Sequence, residues 1–111
     1  MRKAQQTNYG SSNTVMVICL SHLGYEYDYR KVSDKILAKE TEGIDLIIGG
    51  HTHTFLEKPT VLKNKSGKDV LINQVGWAGL RLGRIDFVFD NKRSAIVSNA
   101  HTVVVTKQTI G

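Results

Sequence analysis

The stretch of sequence that decides the fold is Ile44-Asp45-Leu46-Ile47-Ile48-Gly49-Gly50-His51-Thr52-His53-Thr54. Its first five residues are mostly apolar and β-branched, which is typical of a strand covered on both faces in a parallel α/β sheet. Two glycines follow, and they allow the backbone to turn sharply. The pattern therefore predicts a buried strand that ends at a pair of imidazoles.

A second β-branched run, Thr14–Leu20, lies upstream and also ends at a histidine, His22. Between the runs, Ser33 is placed to cap a short helix over residues 34–40, and Gly43 is placed to end it. A strand, a helix and a strand at this spacing predict a right-handed βαβ crossover, which puts the carboxyl ends of both strands at one edge of the sheet. We therefore expect the three imidazoles to lie close together at that edge.

The remainder of the chain predicts antiparallel strands. A hairpin is expected around the turn at residues 64–67, and a second reversal is expected after a strand whose side chains alternate between two faces. The strands predicted beyond the βαβ unit are residues 60–62, 70–74, 85–89, 95–97 and 102–106. The expected fold class is thus α/β, a βαβ unit followed by antiparallel strands.

Length and composition limit the chain to one modest domain. With 111 residues, 41% apolar and 23% charged, the sequence is globular, and it lacks the roughly 20-residue apolar run of a membrane span. Residues 1–13 are polar and are expected to form a flexible N-terminal segment, which leaves residues 14–111 as the domain. The one cysteine, Cys19, excludes an intrachain disulfide and is expected to be a buried, inert thiol.

The net charge of +5 comes from lysines and arginines scattered along the chain rather than massed on one predicted face. Such a surface attracts phosphorylated ligands, but the sequence carries no recognised nucleic-acid-binding module. We therefore expect no nucleic-acid partner. A basic nucleic-acid binder stays an alternative, for which affinity would fall steeply with salt.

The chemistry of the histidines favours a metal site. Neutral imidazole is the commonest nitrogen ligand of Zn²⁺ and also binds other first-row ions. His51 and His53 can face one point only if their loop stays extended; otherwise they can serve two different ions. A lone histidine such as His22 is more often a hydrogen-bonded structural residue, so the prediction depends on all three together. Ser21 lacks the surroundings of an activated nucleophile, and no catalytic residue is assigned.

Three segments carry a resemblance to a known family. They are Val17–Gly24, Ile44–Thr54, and Asn73–Gly79 followed by Leu82–Ile85. In these segments, and in their order, the chain resembles the carboxyl-terminal half of a calcineurin-like metallophosphoesterase catalytic domain, most closely its 5′-nucleotidase branch. The resemblance implies one half of an α/β sandwich.

The resemblance also implies a centre with two metal ions in the complete enzyme. His22 and His51 would share one ion, His53 would hold the second, and a bridged water would attack the phosphorus of a nucleoside monophosphate or related phosphoester. The family further uses Asp-x-His, Gly-Asp and Gly-Asn-His elements, which this sequence lacks. Without their carboxylates two dications would repel each other, so at most one ion, such as Zn²⁺ or Mn²⁺, and negligible activity are expected of this chain alone.

The same resemblance bears on partners and compartment. A half-domain leaves a sheet edge and an apolar face open, so we expect either a homo-oligomer or pairing with the missing amino-terminal half. Relatives of this branch are often exported, which implies a periplasmic or extracellular complete protein. The alternative function is a non-catalytic metal-binding or assembly module, in which the histidines bind an ion without turnover.

Overall fold

Six strands and two helices succeed one another along residues 14–92 and 95–110, the part of the protein that the computed structural model describes. They are β1 (Ile18–Leu20), α1 (Asp34–Glu40), β2 (Leu46–Ile48), β3 (Thr60–Lys63), β4 (Asp69–Asn73), β5 (Arg81–Phe89), β6 (Ala95–Val104) and α2 (Lys107–Ile110). The fold is α/β, as the sequence predicts. The predicted flexible segment, residues 1–13, lies outside the described residues.

The larger sheet has four strands in the order β1-β2-β4-β3. β1 pairs with β2 in parallel, with Leu20 opposite Ile48, so the parallel pairing expected of the βαβ unit is confirmed. β3 and β4 form the predicted hairpin, and β4 also pairs in parallel with β2, with Asn73 opposite Ile48. The carboxyl ends of three strands, β1, β2 and β4, therefore lie at one edge of the sheet.

Helix α1 spans Asp34–Glu40, the residues that the sequence predicts. The Ser33 hydroxyl accepts a hydrogen bond from the Ile36 amide at 3.3 Å, which is the expected N-cap. At the other end the cap is Thr41, in an extended conformation, and its hydroxyl donates to the Leu37 carbonyl at 2.6 Å. This side chain satisfies one of the terminal carbonyls of the helix, and Gly43 follows with a positive φ of 89°.

The hydrophobic core lies between α1 and the middle of the larger sheet. Ala38 of α1, Ile47 of β2 and Ile72 of β4 are fully buried, and Val70 is nearly so. Burying each large aliphatic side chain contributes about 1.5–3 kcal/mol relative to leaving it in water. The two central strands therefore supply most of the buried side chains of the sheet, and β2 and β4 lead into the loops that carry His51, His53 and Gln74.

Strand β1 departs from the prediction of a strand covered on both faces. Ile18 is 51% exposed and Leu20 is 79% exposed, whereas Cys19 between them is partly buried. β1 is an edge strand, and α1 packs against β3 and β4 at the other side of the sheet. An apolar run shows that a strand has two apolar faces, but it does not show that both have a partner.

β5 and β6 form a separate two-stranded antiparallel sheet. β6 is one continuous strand where the sequence predicts two short ones, and a bulge between Asp86 and Phe87 adjusts the register. The Thr102 hydroxyl donates to the Leu56 carbonyl at 2.9 Å, which ties this hairpin to the loop after β2. Among the described residues, no helix is long and apolar enough to cross a membrane.

Candidate metal centre

The three histidines lie in loops that leave the same edge of the larger sheet. His22 follows β1, and His51 and His53 follow β2. Backbone hydrogen bonds continue past the strands, since the Ser21 amide donates to Ile48 and the Gly49 amide donates to Asn73, each at 2.9 Å. These bonds keep the loops side by side, as the βαβ prediction requires.

His22 and His51 meet at this edge. Their Nε2 and Nδ1 atoms are 3.3 Å apart, and the rings are inclined at 69° with centroids 5.0 Å apart. A Cβ added at Gly50 would lie 3.2 Å from Nδ1 of His22, so the glycine lets the backbone approach the ring. Two nitrogen ligands of a tetrahedral Zn²⁺, with bonds of about 2.0–2.1 Å, are themselves about 3.3 Å apart. The separation of these nitrogens equals that of two ligands around one ion, and it is also that of a direct hydrogen bond between the two rings.

His53 takes a different direction. Its ring stacks on the Trp77 indole, with centroids 5.7 Å apart and an interplanar angle of 13°. Across residues 14–92 and 95–110 there is no group of three or more His, Cys, Asp or Glu side chains arranged to hold a metal ion. The structure thus brings two of the three predicted ligands together, and convergence of all three on one point is not observed.

The backbone explains why His51 and His53 diverge. Both residues have positive φ, 71° and 53° respectively, so the loop is not extended and residues two apart do not share a face. A left-handed conformation costs a non-glycine residue on the order of 1 kcal/mol or more, and such strain concentrates at functional sites. The arrangement agrees with the alternative in which the two histidines serve two different ions, and their ligand roles stay predictions.

Gln74, the first residue after β4, holds this strained loop. Its Oε1 accepts hydrogen bonds from the Thr54 amide at 2.6 Å and from the Thr52 hydroxyl at 3.3 Å. The Thr52 hydroxyl also accepts from the Tyr25 amide at 3.0 Å. One buried amide side chain therefore connects the end of β4 with the histidine loop and with the segment after His22.

Asp34, the first residue of α1, is fully buried beneath the same loops. Its Oδ1 accepts a hydrogen bond from the Ser21 hydroxyl at 2.5 Å, whereas its Oδ2 is buried without a partner. Burial raises the pKa of the Asp34 carboxyl, and the hydrogen bond from Ser21 opposes that rise. Nε2 of Gln74 is likewise buried without a partner, and Gly49 lies between the two groups.

Sequence reasoning missed both of these polar residues. An aspartate in the first turn of a helix is favourable wherever the helix lies, so its residue type did not single out Asp34. Gln74 follows a buried apolar strand, and nothing in its neighbours marks it as a buried hydrogen-bond acceptor. Cys19 is partly rather than fully buried, and burial together with the nearby charge of Asp34 raises the pKa of its thiol; its inertness stays a prediction.

Comparison with solved structures shows a close likeness to a 5′-nucleotidase precursor from Thermus thermophilus. The TM-score is 0.77 at 30% sequence identity, over 96% of this chain and 22% of that one. A trifunctional nucleotide phosphoesterase, YfkN of Bacillus subtilis, is 42% identical over 76 residues, which is 68% of this chain. The chain belongs to the 5′-nucleotidase family. A snake venom 5′-nucleotidase of Gloydius brevicauda is 29% identical over 104 residues, 82% of this chain.

This 5′-nucleotidase-family chain is much shorter than the proteins that it matches. It spans 5% of YfkN and 17% of the Gloydius enzyme. A scan against protein-family models gives no match. The family and the mixed α/β fold are nevertheless those that the sequence resemblance implies, a carboxyl-terminal part of the catalytic domain.

Proposed function

We propose that this chain supplies the histidine half of a metal-dependent phosphoesterase centre, whose substrates in the complete protein are nucleoside phosphoesters. The observation that carries the proposal is the 3.3 Å separation of the His22 and His51 nitrogens, on loops that follow adjacent parallel strands. The names of the relatives, a nucleotide phosphoesterase and several 5′-nucleotidases, support the choice of substrate.

Each histidine has a distinct part in this proposal. His22 and His51 bind one divalent ion, Zn²⁺ or Mn²⁺, and His53 offers its ring nitrogens to a second ion in the complete centre. When bound, such ions lower the pKa of water and polarise phosphoryl oxygens. Gln74 holds the backbone of this loop through Thr52 and Thr54, and the rings of His51 and His53 contact His22 and Trp77 respectively.

The isolated chain is expected to bind one ion and to turn over little substrate. The part of the chain that the structure describes places no aspartate or glutamate with the histidine pair in a group able to hold a metal. Two dications about 4 Å apart repel each other strongly unless carboxylates lie between them. The same observation favours the second candidate, a metal-binding module without turnover.

Metal binding by the chain tests the assignment of the ligands. Titration calorimetry with Zn²⁺ should give one site, and His22→Ala or His51→Ala should each weaken it by about tenfold or more. The matched control is His101→Ala, because His101 is an exposed histidine of β6, in the other sheet, and its removal should leave the affinity unchanged. Affinity that is insensitive to both His22→Ala and His51→Ala would refute the proposed pair.

Hydrolysis of p-nitrophenyl phosphate and of a nucleoside monophosphate, with Mn²⁺ or Zn²⁺ present, tests the other half of the proposal. The isolated chain should show no turnover above that of the His51→Ala variant. Robust turnover that disappears in that variant would show that the carboxylate ligands are not needed. A complete protein with the bound ion and no turnover would favour the metal-binding module.

The proposal extends to partner and compartment. The open edge of β1, with Leu20 79% exposed, supports pairing with an amino-terminal half of the domain or with a second copy. Sedimentation of the chain distinguishes a monomer from an assembly. The venom proteins among the relatives support an exported complete protein.

A further inference from the structure

A buried charge lies directly beneath the two histidine loops. The Asp34 side chain has no exposed surface, and Ser21 is the one hydrogen-bond donor to its carboxylate among the described residues. The ion pairs of residues 14–92 and 95–110 do not include it. A buried carboxylate with a single hydrogen bond and no counter-ion is a net cost to folding. Packing of α1 alone would be served as well by a neutral side chain of the same shape.

The location of this carboxylate connects it to both proposed ligands. Ser21, which donates to Oδ1, is the residue before His22, and its hydroxyl also accepts from the Leu23 amide at 3.2 Å. Oδ2 lies against Gly49, and the next residue, Gly50, lies against the His22 ring. The backbone of Gly49 and Gly50 therefore lies between the Asp34 carboxylate and the place where His22 and His51 meet.

We propose that Asp34 is a positioning residue whose buried negative charge, held in place by the Ser21 hydroxyl, strengthens cation binding by His22 and His51. This inference rests on the proposed metal centre. Because Asp34 is fully buried, water screens its charge less than it screens a surface charge, although His22 and His51 themselves are exposed. Without the cation the same charge is unfavourable, so Asp34 lowers the stability of the metal-free fold and raises its affinity for the ion.

Two measurements on a variant of Asp34, the stability of the metal-free protein and its affinity for the ion, distinguish the proposed role from a purely structural one. If the side chain only packs and caps the Ser21 turn, its replacement destabilises the metal-free protein and leaves the affinity of the folded form unchanged. If its charge serves the cation, a neutral isostere leaves the metal-free protein as stable or more stable, and it weakens metal binding. Asp34→Asn provides that isostere, since it keeps an oxygen that can accept from Ser21.

The experiment measures the metal-free stability by urea unfolding and the Zn²⁺ affinity by calorimetry, both on the 111-residue chain. Asp34→Asn is expected to unfold at the same or a higher urea concentration than the parent and to bind Zn²⁺ about tenfold more weakly. The matched control is Ser21→Ala, which keeps the charge and removes the hydrogen bond; it should lower the stability and change the affinity less than threefold. The Co²⁺ absorption spectrum should keep its shape in Asp34→Asn, because the ligands are unchanged.

Three results would overturn the inference. Unchanged Zn²⁺ affinity in Asp34→Asn, while His22→Ala abolishes binding, would refute the role of Asp34 and leave the metal centre intact. Zn²⁺ binding that is absent from the parent chain, or independent of His22, would remove the metal centre and the inference with it. If Asp34→Asn does not fold, Asp34→Ser replaces it, and failure of both variants to fold would show a structural role.

Discussion

Gly49→Ala tests the tightest contact in the site, the one between the histidine loop and Asp34. A Cβ at position 49 would overlap Oδ2 of Asp34 and lie 3.2 Å from its Cγ and 3.3 Å from Nε2 of Gln74. The φ of Gly49 is outside the left-handed region, so the backbone itself accepts alanine. Any loss of stability therefore reports the steric contact.

The expected size of the effect follows from the buried carboxylate. Asp34 is the first residue of a packed helix and cannot swing away into solvent, because its side chain is fully buried. Overpacking of this kind costs about 1–3 kcal/mol, whereas replacing glycine by alanine favours folding by about 0.4–1 kcal/mol through the unfolded chain. We expect Gly49→Ala to lower the free energy of unfolding by roughly 1–2 kcal/mol in urea titrations, and to weaken Zn²⁺ binding because the loop must shift.

Two further variants make the measurement specific. Gly43→Ala is the control for backbone strain, since its Cβ would meet nothing within 4 Å but its φ is +89°. Asp34→Ala in the Gly49→Ala background removes the overlap, so the double variant should be more stable than the sum of the single effects predicts, by about 1 kcal/mol or more. Simple additivity, or a Gly49→Ala protein as stable as the parent, would show that the carboxylate does not lie against Gly49.

Two other predictions concern groups around the histidines. Because burial raises the pKa of Asp34 in the folded protein, the folded state binds the proton more tightly than the unfolded state does. The free energy of unfolding of the parent, relative to that of Asp34→Asn, should be greatest below the unfolded pKa of about 3.9. This advantage should be lost as the pH rises through the folded pKa of Asp34. Urea titrations from about pH 3 to 8 measure it, and a difference that instead grows with pH would contradict the prediction. Trp77 is the one tryptophan of the sequence and stacks on His53, so its fluorescence should change in His53→Ala. Co²⁺ should quench the same fluorescence in the parent protein. His101→Ala is the control for both measurements. Emission that is the same in His53→Ala and the parent would refute the stacked arrangement.

Local sequence determined the parts of the fold that depend on neighbours along the chain. The hydroxyl of Ser33 caps α1 because it is three residues before the Ile36 amide, and the turn before β4 forms because the Asn64 side chain accepts from the Ser66 and Lys68 amides. The approach of His22 to His51 also follows from the sequence, since a short βαβ connection leaves few other ways to pair two apolar strands.

Other features depend on contacts between residues that are distant in sequence. Insertion of β4 between β2 and β3 could not be read from the hairpin pattern, because that pattern specifies the partner on one side of a strand only. The same limit applies to β1, whose apolar residues gave no sign that the strand lies at an edge and exposes Leu20.

The histidine site shows most clearly which features the sequence determines and which depend on the tertiary structure. The sequence alone determined which residues carry the imidazoles and which edge of the sheet they leave. Tertiary structure decided that Gln74 holds His51 and His53 in left-handed conformations, so that one ring meets His22 and the other meets Trp77. It also decided that Asp34 is buried beneath them. Side-chain direction in a loop depends on backbone angles that distant hydrogen bonds impose, and residue type fixes those angles only weakly.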